Sequence, residues 1–392
     1  MAFENPHPIL LIPSHIVAGF LAHLDSMGQL GAVILSHRVF LDAFKDNLHT
    51  ITTSIILKQI PENLLPFSIA ASRSMGIDVT DHVAVQSLLT DLEETILNPQ
   101  GLRSSLATLT PDQTVIMSKT YSATERLCEC FVDEMVPQFN RICRIEHPKS
   151  LNQQERLRLG RAFLRFQLVC NLFCPAKGEP VINEEFRHRF FNMFSPWVNE
   201  QLTCVSLYLE IKVWHTLNDV DWSNFEYFWQ KQEKICDLSP KETYYLQEFL
   251  CQPLPFLSEV CVSKSTTERT ALFQPDRLDC RRRCYFPSAQ IYYTTPRDTS
   301  VLGLDVEATA TLGSYSITDL ERLMKPVDGT QDNLISSPFK MWRFVNKGRT
   351  PSDSTCSTSV DPSLRQCGYV IWDTPELGYH QYQRWQQCFH LD

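Results

Sequence analysis

Four helix-start signatures are spread along this chain, and they constrain its fold more than any other feature. Thr110-Pro111-Asp112-Gln113, Ser223-x-x-Glu226, Ser239-Pro240-Lys241-Glu242 and Thr318-x-x-Glu321 all have the form of a capping box. In such a box the Ser or Thr side chain takes the amide of the third helical residue. The Glu or Gln at that position reaches back to the cap amide, so two open donors are satisfied at once. Pro111 and Pro240 stand at the first helical position, where a missing N–H costs nothing. Between the boxes, Val85, Leu88, Leu89, Leu92 and Ile96 follow Asp81 at helical spacing and make one apolar face. Glycine is scarce, with 13 in 392 residues, about half the usual ~7%. Few turns can then need positive φ, which weighs against sandwiches, barrels and dinucleotide-binding folds. The apolar share of 43% is enough for a sizeable core. The expected fold class is mostly α, with at most a short β pair.

Further starts fill in the organisation. Ile12-Pro13-Ser14 opens a short helix to Leu24, a second helix runs from about Gly28 to Lys45, and Pro61-Glu62 opens a third to about Met75. Residues 1–75 are read as a small helical module, packed on or next to a large irregular helical domain at 80–392. Two stretches break the rhythm. Residues 264–300 mix Ser, Thr and charges with YFPSAQIYYTTP, an irregular excursion that suits a β pair. Residues 347–365 are polar and rich in Ser, Thr and Pro, and are expected to be a loop. After the apolar run Cys367–Asp373, Thr374-Pro375 caps a last expected helix.

The first 45 residues carry the most specific pattern. Ile12-Pro13 is followed by Ile16, by Phe20, Leu21 and Leu24, by Leu30, and then by Leu35, Ser36, Arg38 and Phe40. This is a Pro-started helix, a turn around Ser26-Met27-Gly28 and a second amphipathic helix. Such a pair buries too little to stand alone, so it needs the following helices or a partner. The pattern resembles the F-box. That motif opens with Leu-Pro, an acidic residue and an apolar one, continues with an apolar trio, and closes with an apolar, small, basic and aromatic string. Ile12 stands for its Leu, His15 for its acidic residue and Phe40 for its Trp. The run from Ser36 to Ala70 and the late Tyr369–Asp373 segment also look like F-box-like proteins of filamentous fungi.

The resemblance implies binding rather than chemistry. F-box segments dock on the Skp adaptor of a cullin-RING ubiquitin ligase, and the rest of the chain recruits a protein substrate. Ile12, Pro13, Ile16, Phe20, Leu21, Leu24, Leu30, Leu35, Arg38 and Phe40 would then form the docking segment, an apolar patch of the kind found at interface centres. A different reading stays open. In it the segment is a plain helical hairpin in a scaffold or regulatory protein with no ligase partner, with Ile12, Pro13 and Phe20 packed inside.

Other patterns point to no site. Cys128, Cys130, Cys143 and His147 have near zinc-finger spacing. Residues two apart on a helix, however, point about 200° from each other. Cys170/Cys174 and Cys280/Cys284 lack histidines at ligand spacing. Arg158, Arg161 and Arg165 are read as a solvated basic stripe paired with acids, and Arg281–Arg283 as a second cluster. Asp219-x-Asp221 is read as a turn, and the aromatics Trp214, Trp222, Phe225, Tyr227, Phe228 and Trp229 as core. G-x-S-x-G, H-E-x-x-H, Walker A and G-x-G-x-x-G motifs are absent. No enzymatic activity, cofactor or metal is therefore expected, and the net charge of −9 disfavours nucleic acid. The 14 cysteines show no framework spacing, no Asn starts a glycosylation sequon, and Glu4 and Pro13 interrupt the N-terminal apolar run. A cytoplasmic or nuclear protein with free thiols and no membrane span is expected.

Overall fold

Pro13 holds an extended turn at φ −58° and ψ 139°, and the chain enters its first helix, α1, at Ser14–Leu21. The structure is a computed structural model that describes residues 12–143, 150–173, 184–220, 249–273, 336–345 and 362–373. Among the described residues there is no strand, and the mostly α class holds. The excursion beyond 273, the expected β pair, residues 347–361 of the expected loop and the helix after Pro375 lie outside them; the described start of the 264–300 excursion and end of the 347–365 loop are helical instead, at Thr266–Leu272 and Pro362–Gln366. The boxes at 223, 239 and 318, and the clusters at 222–229 and 281–283, also lie outside the described residues.

The second expected helix is in fact two. Ser26 caps α2 (Met27–Ser36): its Oγ accepts from the Gln29 amide at 3.2 Å, while Gln29 Oε1 accepts from the Asp25 amide at 2.9 Å. The helix then breaks at His37, which is extended at φ −159° and ψ 144°. His37 Nδ1 accepts from the Val39 amide at 3.1 Å and so acts as the cap of α3 (Arg38–Asp46). A run of apolar residues cannot reveal a break made by one imidazole.

α4 (Leu48–Gln59) packs on α1, α2 and α3 and on a much later helix, so it joins the N-terminal module to the rest. A turn of 3₁₀ helix at Glu62–Leu64 precedes α5 (Leu65–Ser74), in which every residue except Arg73 is buried. α6 (His82–Leu97) starts at Asp81, whose carboxylate accepts from the Val83 and Ala84 amides at 3.1 Å each. Its buried face is Val85, Leu88, Leu89 and Leu92. α7 (Leu102–Ala107) is short.

α8 (Pro111–Cys143) is the long axis of the body. The Thr110–Gln113 box forms in both directions, at 3.2 and 2.9 Å. The helix runs through Pro137, which is exposed. An interior Pro removes one helical hydrogen bond and costs about 3 kcal/mol. Asp133, four residues earlier, is exposed as well, so the carbonyl left without its donor lies on the solvent side.

α9 (Gln153–Phe173) opens on a box in which Asn152 takes the place of Ser or Thr. The Glu155 amide donates to Asn152 Oδ1 at 2.9 Å and the Asn152 amide to Glu155 Oε2 at 3.0 Å. All but a few of its residues are buried, because α5, α8 and a long later helix pack around it. Gly160 permits the tight crossing: a Cβ there would lie 2.8 Å from Leu64 Cδ1.

α10 (Glu184–Asn192) leads into that later helix, α11 (Pro196–Asn218). α12 (Leu254–Val262) packs on α8 and α11, and α13 (Thr266–Leu272) follows it with a complete Ser265–Glu268 capping box. α14 (Ser337–Val345) lays Phe339 and Trp342 against Trp197, with ring centres 4.9 and 5.8 Å apart. α15 (Pro362–Gln366) and the turns to Asp373 close the core. One continuous apolar core runs from Val17, Leu21 and Leu30 to Trp372.

Candidate protein-docking face

α1 exposes one side almost entirely. Ile16 and Phe20 are four residues apart and share one face, and Ile12 lies just before the helix, ahead of the extended Pro13. Ile12, Ile16 and Phe20 are 42%, 55% and 58% exposed, and Pro13 is exposed beside them. The opposite side of the helix, Val17, Ala18 and Leu21, is buried against the module. Phe20 leans on Phe40 of α3 with ring centres 6.5 Å apart and planes tilted by 35°. Phe40 is half-buried and follows the His37 break by three residues. Just before that break, Leu35 at the end of α2 is 85% exposed. Large apolar side chains this open are few among the described residues, and four of them belong to this module. A cluster of them marks an interaction surface better than scattered ones do.

The segment residues thus separate into two groups. Ile12, Pro13, Ile16, Phe20 and Leu35 face outward with half-buried Phe40. Arg38 is also exposed and pairs with Asp42 one helical turn on, at 3.3 Å. Leu21 and Leu30 are buried, and Leu24 is half-buried against the core, so these three build the module from within. The turn between α1 and α2 is pinned by Lys58 of α4, whose Nζ donates to the His23 carbonyl at 2.7 Å and to Asp25 Oδ1 at 2.9 Å.

The arginine stripe of α9 needs a correction. Arg158, Arg161 and Arg165 do not line a solvated face; they are 4%, 3% and 0% exposed. α11 and the 364–373 segment cover them. Arg158 Nη1 donates to Asp373 Oδ1 at 2.7 Å and to the Ile371 carbonyl at 3.1 Å. Arg161 donates to Gln201 Oε1 at 2.8 Å. Arg165 donates to the Val198 carbonyl and to Asn199 Oδ1, and its guanidinium lies 3.7 Å from the centre of the Phe194 ring. Arg365 grips Glu200 through Nε at 2.6 Å and Nη2 at 3.3 Å. A guanidinium is planar and weakly hydrated, so it tolerates this burial where an ammonium does not. Sequence spacing shows a stripe of charge but not which helix will lie across it. A sign was present: Leu168, Val169 and Leu172 continue the arginine side of α9 after Arg165, so that side is not polar along its length.

This network ties α9 to α11 and to the 364–373 segment. Its members are committed to closing the core. The thiols of Cys128 and Cys204 are pushed well up, chiefly by burial. Burial also pushes the Cys261 thiol up to about 12, which makes it a poor nucleophile. Cys128 is in the core and Cys130 half-buried, and the Cys143 side chain, His147, Cys174, Cys280 and Cys284 lie outside the described residues. Among the described residues, no group of three or more His, Cys, Asp or Glu is placed to hold a metal. Asp219 pairs with Arg269, and Trp214 is half-buried against the core. No described helix is long and apolar enough to cross a membrane. No family model, no curated protein and no solved structure matches the chain.

Proposed function

We propose that this chain is a non-catalytic substrate adaptor that docks on the Skp adaptor of a cullin-RING ubiquitin ligase. The docking surface is the outer face of α1, extended by Phe40 and Leu35, and the helical body recruits a protein substrate. The carrying observation is that the residues matching the outward half of the F-box pattern stand open. Ile16 and Phe20 are more than half exposed while their helix neighbours Val17 and Leu21 are buried. A cytoplasmic or nuclear setting goes with this reading.

The alternative, a helical scaffold with a degenerate segment, requires Ile12, Pro13 and Phe20 to be covered by the chain itself. Their exposure favours the docking reading. His15, where an acidic residue is usual, is exposed on the first turn of α1 and does not interrupt the apolar stripe.

The test is a pull-down of the purified chain with the Skp adaptor, beside a Pro13→Ala/Phe20→Asp variant. Parent binding that is lost in a variant with an unchanged circular dichroism spectrum supports docking through this face. A parent chain that does not bind refutes the proposal.

A further inference from the structure

His37 sits between two helices and serves both. It ends α2 and caps α3, with its backbone extended at φ −159° and ψ 144°. Its Nδ1 lies 3.1 Å from the Val39 amide nitrogen and accepts from it. A backbone N–H can only donate, so Nδ1 presents a lone pair and the neutral ring carries its proton on Nε2. Ser, Thr, Asp and Asn are the common N-caps, and their side-chain oxygens remain acceptors across the neutral range. An imidazole does not, because its charge changes between about pH 5 and 8. Protonation puts a hydrogen on Nδ1, and two N–H groups then face each other. The positive ring would also stand at the positive end of α3. No acidic residue lies in the first turn of α3 to offset it, and Arg38 follows directly. The other neighbour has the opposite polarity. The last carbonyls of a helix such as α2 have no further turn to accept from, and a cation is favoured there.

We propose that His37 is a pH-sensitive joint between α2 and α3. Neutral, it caps α3; protonated, it gives up that cap and turns toward the carbonyls at the end of α2. The cap is therefore complete above the titration of the ring and is lost as pH falls through it. α1, α2 and α4 pack against α3. Of these, α1 brings His15, α2 no titratable group, and α4 His49 and Lys58. Lys58 is bound to Asp25 and to the His23 carbonyl. On α3 itself Arg38 pairs with Asp42, and Lys45 and Asp46 are exposed. Among the described residues none of these groups hydrogen-bonds or ion-pairs with the half-buried His37 ring, so no ion pair fixes it in one form. The joint lies between Leu35 and Phe40, and Phe40 is the ring that leans on Phe20. Release of the cap loosens the corner that places Phe40. No bound partner is needed for this, so the switch stands apart from the docking reading.

The experiment is amide hydrogen exchange by NMR on the full chain at about pH 8 and about pH 5.5, on either side of the imidazole range. Rates are corrected for the pH dependence of intrinsic exchange, and a His37→Asn variant is measured alongside. Asn is a strong N-cap that does not titrate, so this variant keeps the corner intact. In the parent, protection of the Val39 amide should fall about fivefold in acid, the weight of an ordinary N-cap, while amides of the buried α5 hold steady. In His37→Asn, Val39 protection should stay constant. Ring nitrogen-15 shifts at the higher pH should place the His37 proton on Nε2. Equal Val39 protection in the parent at both values overturns the proposal. So does an equal acid loss in His37→Asn, or a neutral ring with its proton on Nδ1.

Discussion

Replacing Glu200 alone should damage this protein far more than replacing Glu200 and Arg365 together. The two side chains are 6% and 8% exposed and are joined by two hydrogen bonds, at 2.6 and 3.3 Å. Glu200→Leu leaves a guanidinium in the core without its carboxylate. Breaking a buried pair from one side costs about 3–5 kcal/mol. In Glu200→Leu/Arg365→Met no charge is left behind, and hydrophobic replacement of a whole buried pair is often neutral or stabilising by about 1–4 kcal/mol. The site suits that swap: Val370 is fully buried nearby, and Cys204, one turn after Glu200 on α11, is fully buried too. Urea unfolding followed by tryptophan fluorescence reads the difference. At a slope of about 3 kcal/mol/M the single variant should lose about 1 M or more in midpoint, and the double variant should recover most of it. A single variant within about 0.5 kcal/mol of the parent would refute the buried pairing of α11 with the C-terminal segment. So would a double variant that loses the sum of the two single effects.

Two further changes probe other parts of the fold. Gly368→Ala should destabilise by about 2–4 kcal/mol in the same assay. Its φ of 70° favours glycine, and a new Cβ would lie 2.8 Å from Phe131 Cζ, so strain and crowding add. Glu210→Gln should stabilise at pH 7, because burial alone holds the Glu210 carboxyl above its usual range. The folded state binds that proton more tightly than the unfolded chain does. The stability supplied by the neutral carboxyl is thus full below the unfolded value of about 4.5 and is lost as pH rises through the folded one. Melts of parent and variant should converge in acid and separate toward neutral pH; a constant gap would count against burial as the cause.

Helix class and the larger helix starts were legible in the chain itself, because each depends on neighbours within four residues. Asp81, Thr110-Gln113 and the Val85–Leu92 face need only local hydrogen bonds and a 3.6-residue period. The same locality explains the break missed at His37, where one ring nitrogen outweighs an unbroken apolar run. Within the N-terminal segment, spacing does not separate Phe20, which is open, from Leu21, which is sealed; α3 and α4 decide that by packing on one side of α1. The fate of the α9 arginines was set from farther still. Arg158 meets Asp373 across 215 residues, and Glu200 meets Arg365 across 165. Charge in a sequence names no partner at that distance. A guanidinium becomes interior only when another element brings acceptors to it and excludes water, and that is a property of the assembled core alone.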